Sequence, residues 1–392
     1  MNLLRINLLT PPICQQFRKI LANNGYTERA YKELQVYSFF KTFSENVIIP
    51  EKLKNAPETD FLFKLFYLGR KIKNKEAEQL FKKDLLRNLI DANILYCLNN
   101  GFLSSRVMIL PYSTYYFTSD FIYRYDGPAS RSKKNNYHNI VYPASADTID
   151  LWEAAVKKRA KNTLDLCTGC GALAILASTF SKKVVGIDIN PRAINLAQFN
   201  ALFNNIKNVE FKCGDLFEPI DANSVFYLIL VNPPYLVKSP ETTLYSDGGV
   251  TGDALLKKVV GGVPKYLKKE GYCQIVSAFF STNKQRNIYT LLHKWLNNRS
   301  FNIFFLKLRM LDLYQYVVSL SLSFLRNDHS VYAKQIKTLL SLLRTRKISS
   351  ISYGIINLRL SQSSREKELF VKKTSSIQLE KYVRNYFNDY DS

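Results

Sequence analysis

Between residues 160 and 280, short apolar runs with the composition of β-strands alternate with runs of helical periodicity. The strand-like runs are Asn162–Leu166, Lys183–Ile187, Val209–Lys212, Val225–Val231 and Tyr272–Ala278, and helical runs such as Ala172–Thr179 and Pro191–Phe203 lie between them. Strands that alternate with helices are typical of a parallel sheet covered on both faces, because each parallel connection has to cross the sheet. The sequence therefore predicts an α/β fold with a doubly wound sheet.

The region before this alternation has a different character. Residues 1–105 have mainly helical spacing, and the part from Leu62 to Leu103 fits a small winged-helix-like unit. Residues 106–140 form a β-rich, aromatic connector that contains the linker Asp126–Asn136. We therefore predict a mainly helical N-terminal domain that is separate from the α/β domain.

The α/β domain is assigned to residues 141–362. Two more strand-like runs, Phe301–Leu308 and Ile348–Leu358, enclose a helical and basic insertion near 312–347. Residues 363–392 are assigned to a C-terminal tail.

The charge of the chain is strongly positive and unevenly distributed. The 392 residues carry a net charge of +23, and residues 251–350 hold 17 basic and 4 acidic side chains. This excess favours an anionic partner such as RNA or a ribonucleoprotein, whereas a solvated basic face explains it equally well. No run reaches the ~18 apolar residues of a membrane span, and the first residues lack the apolar core of a signal peptide. We expect a cytoplasmic protein without a membrane partner.

The cysteines do not predict a metal site. Cys167 and Cys170 have the spacing of a C-x-x-C motif, but a zinc site needs two further cysteine or histidine ligands. No second C-x-x-C motif is present in the sequence, and its three histidines are isolated. We interpret the two cysteines as part of a glycine turn.

That turn follows the first strand of the alternating region. The strand ends near Asp165, and Gly169 and Gly171 allow the backbone to approach a ligand without a clash from a Cβ atom. A dinucleotide-binding turn has three glycines, and a carboxylate at the strand end would repel a pyrophosphate. S-adenosylmethionine, which carries an ammonium and a sulfonium group, suits Asp165 better.

Two more aspartates follow the next strands. Asp188 closes the second strand, where a carboxylate accepts hydrogen bonds from both ribose hydroxyls of an adenosine ligand. A helix N-terminus before Pro191 is the structural alternative. Asp215 follows the third strand and is predicted to accept from an adenine amino group, with Leu216 or Phe217 against the ring.

The fourth strand carries the most specific motif. The apolar run from Leu228 ends in Asn232-Pro233-Pro234-Tyr235, at the carboxyl edge where parallel sheets bind ligands. The Asn232 side-chain oxygen and the Pro233 carbonyl can accept both hydrogens of a planar –NH2 group, and Tyr235 can stack on it. Because the lone pair of such a nitrogen is delocalised, positioning and electrostatics would supply most of the catalysis.

In this order, the four motifs resemble those of a class I S-adenosylmethionine-dependent methyltransferase. Within that class the chain is similar to the release-factor glutamine-N5 methyltransferases and the related methyltransferase small domain group. The resemblance is carried by residues about 160–280 and extends to about 360. The resemblance implies a Rossmann-like sheet and S-adenosylmethionine as cofactor. It implies cofactor contacts at Asp165, Cys167, Gly169, Gly171, Asp188, Asp215, Leu216 and Asn232, and a catalytic role for Asn232, Pro233, Pro234 and Tyr235.

The chain also differs from that group. Cys167 replaces the usual first glycine, and we expect its φ angle to stay negative. Leu216 stands where an aromatic residue is common, and the insertion near 312–347 and the N-terminal region are absent from the short glutamine enzymes. The loop Tyr245–Gly252 resembles the D-G-G-x-x-G element that follows the catalytic motif in the group.

Three functions remain open from the sequence. The first is N-methylation of a glutamine amide in a translation factor or ribosomal protein. The second is methylation of the exocyclic amine of adenine or guanine in RNA or DNA, which the same tetrapeptide serves and the basic 251–350 region favours. The third is a non-catalytic RNA-binding protein with a methyltransferase fold, which the intact Asp188, Asn232 and Tyr235 disfavour.

Overall fold

The computed structural model describes residues 3–34, 45–121, 139–237, 247–282, 287–322, 329–372 and 378–388. The linker Asp126–Asn136 lies outside the described residues, as do Tyr245 and Ser246 of the glycine-rich loop. Among the described residues, none of the helices combines the length and the apolar character that a membrane crossing requires.

The described residues contain the following helices and strands. The helices are α1 (Pro11–Asn23), α2 (Glu28–Glu33), α3 (Glu45–Lys52), α4 (Pro57–Leu62), α5 (Asn74–Phe81), α6 (Lys83–Asp91), α7 (Ala146–Ala154), α8 (Ala172–Ala177), α9 (Pro191–Phe203), α10 (Ala254–Tyr266), α11 (Ile288–Trp295), α12 (Leu313–Leu322), α13 (His329–Thr345) and α14 (Leu379–Asn388). The strands are β1 (Ile72–Lys73), β2 (Leu95–Leu98), β3 (Phe102–Ser105), β4 (Met108–Tyr112), β5 (Tyr115–Ser119), β6 (Ala160–Leu166), β7 (Ser181–Asp188), β8 (Val209–Cys213), β9 (Phe226–Val231), β10 (Leu267–Thr282), β11 (Phe301–Asp312), β12 (Ile348–Leu360) and β13 (Arg365–Phe370).

The chain forms two compact units that do not coincide with contiguous stretches of sequence. Unit 1 comprises Met1–Ser145, Thr168–Ile175 and Asp188–Cys213. Unit 2 comprises Ala146–Cys167, Leu176–Ile187 and Gly214–Ser392. The predicted boundaries at residues 105, 140 and 362 therefore stay predictions.

Unit 1 has an aromatic core between its helices. The ring of Phe17 on α1 lies 5.6 Å from Phe66, 6.0 Å from Phe81 and 5.1 Å from Phe203, measured between ring centroids. The elements from α4 onward follow the order α4-β1-α5-α6-β2-β3, with a sheet ordered β1-β3-β2, and the winged-helix-like unit over Leu62–Leu103 stays a prediction. Strands β4 and β5 form a separate antiparallel hairpin.

Unit 2 contains a mixed sheet whose strands are ordered β13-β11-β12-β10-β9-β6-β7. Strands β7, β6, β9 and β10 are parallel, and β12 runs antiparallel to β10 and β11. Leu166 of β6 pairs with Val231 of β9, so these two strands end at the same edge of the sheet. This edge is where ligands bind in open α/β sheets.

The predicted alternation is confirmed. Strands β6 to β10 cover the five strand-like runs, and α9 begins at Pro191 and ends at Phe203 as expected. The two later strands are β11 and β12, and α12 and α13 lie between them in the predicted insertion. Residues 363–392 contain β13, which pairs in parallel with β11, and α14.

The insertion helices pack close to the tetrapeptide segment of unit 2. Tyr316 of α12 and Leu339 of α13 belong to a buried cluster with Phe280, and Tyr235 and Leu236 pack against that cluster. The insertion therefore contributes to the surroundings of the tetrapeptide.

Candidate functional site

The glycine turn and Asp188 meet in unit 1. The Gly169 N–H donates to Asp188 Oδ2 at 2.9 Å, and the Asn190 N–H donates to Asp188 Oδ1 at 2.9 Å. A carboxylate has about four lone-pair positions, so each oxygen retains the capacity to accept a further hydroxyl. Helix α9 has its own cap, because the Asn190 side chain accepts from Arg192 N. Asp188 is therefore not needed as the cap.

The two glycines of the turn have different surroundings. Gly169 has a φ angle of +54°, and a Cβ atom there would meet nothing within 4 Å. Gly171 has a φ angle of +80°, and a Cβ atom would lie 2.9 Å from both Ala197 and Phe211. The turn thus packs tightly on one side and leaves open space beside Gly169, which fits a backbone that approaches a ligand.

A buried asparagine on α9 supports this turn. Asn200 Nδ2 donates to the Cys170 carbonyl at 2.8 Å and to the Thr118 carbonyl at 3.0 Å. Its Oδ1 accepts from Thr118 N at 2.8 Å and Thr118 Oγ1 at 2.7 Å. One turn later, Asn204 makes the equivalent pair of bonds to Tyr116, at 2.9 and 2.8 Å. The asparagine amides therefore join the β4–β5 hairpin to α9, and Asn200 also joins it to the glycine turn.

Asp165 and Cys167 lie in unit 2, at the end of β6. Asp165 is fully buried and pairs with Leu230 of β9. The prediction of a negative φ angle for Cys167 is wrong, because that angle is +57°. The chain turns sharply directly after the strand, and the left-handed conformation costs a non-glycine residue roughly 1–2 kcal/mol.

The segment after β8 keeps Asp215 near the surface. Lys258 Nζ lies 3.6 Å from Asp215 Oδ2, and both side chains are more than a third exposed. Phe217 is stacked on Tyr266, with ring centroids 4.8 Å apart, so its ring has a packing role. Leu216 has a φ angle of +49° and packs against the hydrophobic core of unit 2.

The tetrapeptide follows β9 in unit 2, and its first and last side chains contact neighbouring residues of α7. Asn232 Nδ2 donates to Thr148 Oγ1 at 3.3 Å, so that Asn232 Oδ1 points away from this contact and can serve as an acceptor. The Tyr235 hydroxyl donates to Asp147 Oδ2 in a short hydrogen bond. The carboxamide and the phenol are thereby oriented from the same helix.

The glycine-rich loop packs directly on the tetrapeptide. The Gly248 N–H donates to the Leu236 carbonyl at 2.8 Å. A Cβ atom at Gly248 would lie 2.8 Å from the backbone of Tyr235, and one at Gly252 would lie 2.9 Å from its carbonyl oxygen. The segment Asp247–Gly252 therefore forms a wall beside the tetrapeptide. A side chain at position 248 or 252 would clash with the backbone of Tyr235, so both positions require glycine.

Asp188 and the α7 residue Asp147 have perturbed ionisation. Burial raises the pKa of Asp188 above its ordinary value, against the lowering effect of the backbone N–H groups of Asn190 and Gly169. Burial likewise raises the pKa of Asp147, against the lowering effect of the hydroxyls of Tyr235 and Tyr353. Such shifts are common at functional sites.

Sequence reasoning missed the residues that hold the motifs in place. Asp147 and Asp150 are three residues apart on α7 and therefore share a helix face, which is a signal in the sequence. Asn200 near the end of α9 and Asn204 directly after it have the i, i+4 spacing, which is a second signal. No local pattern connects Tyr353 or Arg309 with α7, because their contacts arise only from the pairing of distant strands.

Comparisons with known proteins identify methyltransferases as similar to this chain. The family described as "Methyltransferase domain" matches residues 157–316. A putative protein N5-glutamine methyltransferase of Methanocaldococcus jannaschii is 37% identical over 159 residues, which make up 39% of this chain and 79% of that protein.

Two bacterial relatives match over shorter stretches. A release factor glutamine methyltransferase of Aliivibrio fischeri is 43% identical over 95 residues, which are 23% of this chain and 34% of that protein. A ribosomal protein uL3 glutamine methyltransferase of Bradyrhizobium diazoefficiens is 33% identical over 130 residues, which are 29% of this chain and 40% of that protein. The match to each of these two proteins thus spans less than half of its length. The predicted resemblance is confirmed, and the chain belongs to the family of class I S-adenosylmethionine-dependent methyltransferases that includes the protein N5-glutamine methyltransferases.

Proposed function

We propose that this protein transfers a methyl group from S-adenosylmethionine to the side-chain amide nitrogen of a glutamine in a translation protein. The observation that carries the proposal is Asn232-Pro233-Pro234-Tyr235 at the edge of the sheet, directly beside the Asp247–Gly252 wall. The relatives named above are described as methyltransferases of protein glutamine, of release factors and of ribosomal protein uL3. The reaction would then take place in the cytoplasm, where translation proteins are made and used.

The cofactor would be held by residues from the ends of successive strands. When bound, S-adenosylmethionine supplies an electrophilic methyl group on a positively charged sulfur. Asp188 accepts from the ribose hydroxyls in this proposal, and the open side of Gly169 lets the backbone come close. The remaining proposed contacts are Asp165, Cys167, Gly171, Asp215, Leu216 and Asn232.

The tetrapeptide would hold the glutamine amide as an acceptor of the methyl group. Asn232 Oδ1 and the Pro233 carbonyl take one amide hydrogen each, and the ring of Tyr235 packs against the planar group. Because the lone pair of an amide nitrogen is delocalised, acceptors on its two hydrogens favour the geometry in which that lone pair can attack. Thr148 supports this role, since it occupies the amide nitrogen of Asn232 and leaves the oxygen for substrate.

The Asp247–Gly252 wall favours a protein substrate. A glutamine side chain in an exposed loop needs only a narrow slot with main-chain partners, and glycines packed against Tyr235 make such a slot narrow. A base from a duplex would have to be extruded and held by a surface that grips phosphates. Lys257, Lys258, Lys268 and Lys269 are exposed, so a nucleic-acid substrate is the alternative that the experiment has to separate.

The experiment is transfer of labelled methyl groups into a fractionated extract that contains translation factors and ribosomal proteins. We expect label that survives RNase, disappears with protease and maps by mass spectrometry to a glutamine side chain. The Asn232→Ala protein is the matched control and should give almost no label. Label that disappears with RNase and survives protease would overturn the proposal in favour of a nucleic-acid base.

A further inference from the structure

The carboxylates at the start of α7 form a cluster with two tyrosines and an arginine in unit 2. The Tyr353 hydroxyl on β12 lies 3.1 Å from Asp147 Oδ1 and 3.0 Å from Asp150 Oδ2, and these two acceptors share its single proton. Arg309 Nη2 on β11 donates to Asp150 Oδ2 at 3.3 Å, and its guanidinium lies 4.8 Å from the centre of the Tyr353 ring. We call Asp147, Asp150, Tyr235, Tyr353 and Arg309 the α7 cluster.

The hydrogen bonds of the α7 cluster favour the ionised form of Asp147, against the effect of its burial. Its two oxygens accept from different phenols, Tyr235 on one side and Tyr353 on the other. Asp147 lies in the first turn of α7, where the helix dipole favours a negative charge. Arg309 supplies the positive charge, and its side chain is 51% exposed, whereas Asp150 is only 2% exposed. Arg309 therefore compensates the charge of the buried Asp150 from the surface side.

We infer that Asp147 and Tyr353 are positioning residues that set the orientation of Tyr235 for methyl transfer, together with Thr148, which orients Asn232. The inference rests on the proposed function and goes beyond it by assigning roles to residues outside the four motifs. The contacts of α7 fall on the first and last side chains of the tetrapeptide, so one helix determines both the acceptor oxygen and the stacking ring. The rings of Tyr235 and Tyr353 lie 6.3 Å apart, so Tyr353 also limits the tilt of Tyr235.

The ionisation of Asp147 should then be visible in catalysis. A protonated Asp147 loses one of its acceptors, and one of the two phenols is released. The groups that face Asp147 are Asp150 on its own helix, Tyr235, Tyr353 and Arg309. Burial raises the pKa of Asp147, so turnover should decline with falling pH sooner than it would with an ordinary aspartate.

The test compares Asp147→Asn and Tyr353→Phe with a matched control, Tyr386→Phe. Tyr386 is also a buried tyrosine of unit 2, and its hydroxyl donates to main-chain carbonyls of Ile303 and Arg365, both at 3.2 Å. We expect kcat to fall roughly tenfold in Asp147→Asn and roughly threefold to tenfold in Tyr353→Phe, with the KM for cofactor unchanged. Tyr386→Phe should lower the melting temperature to a degree comparable with Tyr353→Phe and leave kcat unchanged.

A second measurement does not depend on the identity of the substrate. With a fluorotyrosine at position 235, the fluorine resonance of the otherwise unchanged protein should shift as Asp147 titrates, and this shift should disappear in Asp147→Asn. If the unchanged protein labels no glutamine, the proposed function fails, while the resonance still tests the α7 cluster. The inference is overturned if Asp147→Asn keeps full kcat in a protein that methylates glutamine, or if the resonance titrates identically in both proteins.

Discussion

The glycine turn in unit 1 and the tetrapeptide in unit 2 are both held in place by residues outside the motifs, but by different chemistry. Asn200, a neutral amide, supports the glycine turn through the Cys170 carbonyl. Asp147, a carboxylate, supports the tetrapeptide through the Tyr235 hydroxyl. A neutral amide keeps its hydrogen bonds over the whole range of pH, whereas a carboxylate changes its acceptors when it titrates. We therefore expect the support of the glycine turn to be insensitive to pH and that of the tetrapeptide to be sensitive.

The largest expected effect is on the tetrapeptide side of this comparison. Asn232→Ala should lower kcat by roughly a hundredfold to a thousandfold, because it removes an acceptor that acts on the reacting nitrogen. Cofactor affinity, measured by calorimetry, should change much less. Full turnover in this variant would show that the tetrapeptide does not act in the reaction, and the comparison between the two regions would fail.

The second effect is on the glycine-turn side. Asp188→Ala should weaken binding of S-adenosylmethionine by about 2–3 kcal/mol, since charge-assisted hydrogen bonds to the ribose are lost. Calorimetric titration measures this directly, and kcat at saturating cofactor should stay closer to that of the unchanged protein than in Asn232→Ala. Equal affinity in both proteins would show that Asp188 does not hold the ribose.

A smaller effect distinguishes Asn200 of α9 from Asn204, which directly follows that helix. Asn200→Ala and Asn204→Ala should each lower the free energy of unfolding by about 2–3 kcal/mol, because each leaves buried main-chain groups without partners. Only Asn200 reaches the glycine turn, so only its loss should also weaken cofactor binding, by about 1 kcal/mol. Chemical denaturation measures the free energy of unfolding, and calorimetry on the same samples measures the cofactor affinity. Equal cofactor affinity in the two variants would contradict the role of Asn200.

The smallest effect is the pH dependence of cofactor binding. The raised pKa of Asp188 means that its carboxylate is protonated at a higher pH than that of an ordinary aspartate. The affinity for S-adenosylmethionine should have its full value above that pKa. It should fall as the pH decreases through the pKa, because a protonated acid loses its charge-assisted acceptor. Titrations across acidic pH measure the decline, and Asp188→Asn is the control whose affinity should stay flat over the same range. A decline of equal size in Asp188→Asn would show that another group causes the pH dependence of the affinity.

Part of the site could be predicted because its residues are close in sequence to the ends of strands. The end of β7 at Asp188 and the end of β9 before Asn232 follow from strand patterns, and parallel strands place their carboxyl ends on one edge. The φ angle of Cys167 was predicted incorrectly, since the sharpness of a turn depends on where the following helix packs and not on the residue alone.

The sequence by itself determined the alternating α/β pattern, the four motifs and the membership of a methyltransferase family, because these depend on local periodicity and on residue types at strand ends. Only the tertiary structure decided that Asp147 and Tyr353 meet at Tyr235. Tyr353 follows Asp147 by 206 positions, and it reaches the carboxylate because β12 inserts antiparallel between β10 and β11. Contacts of that kind arise from the pairing of distant strands, which no local pattern of residues encodes.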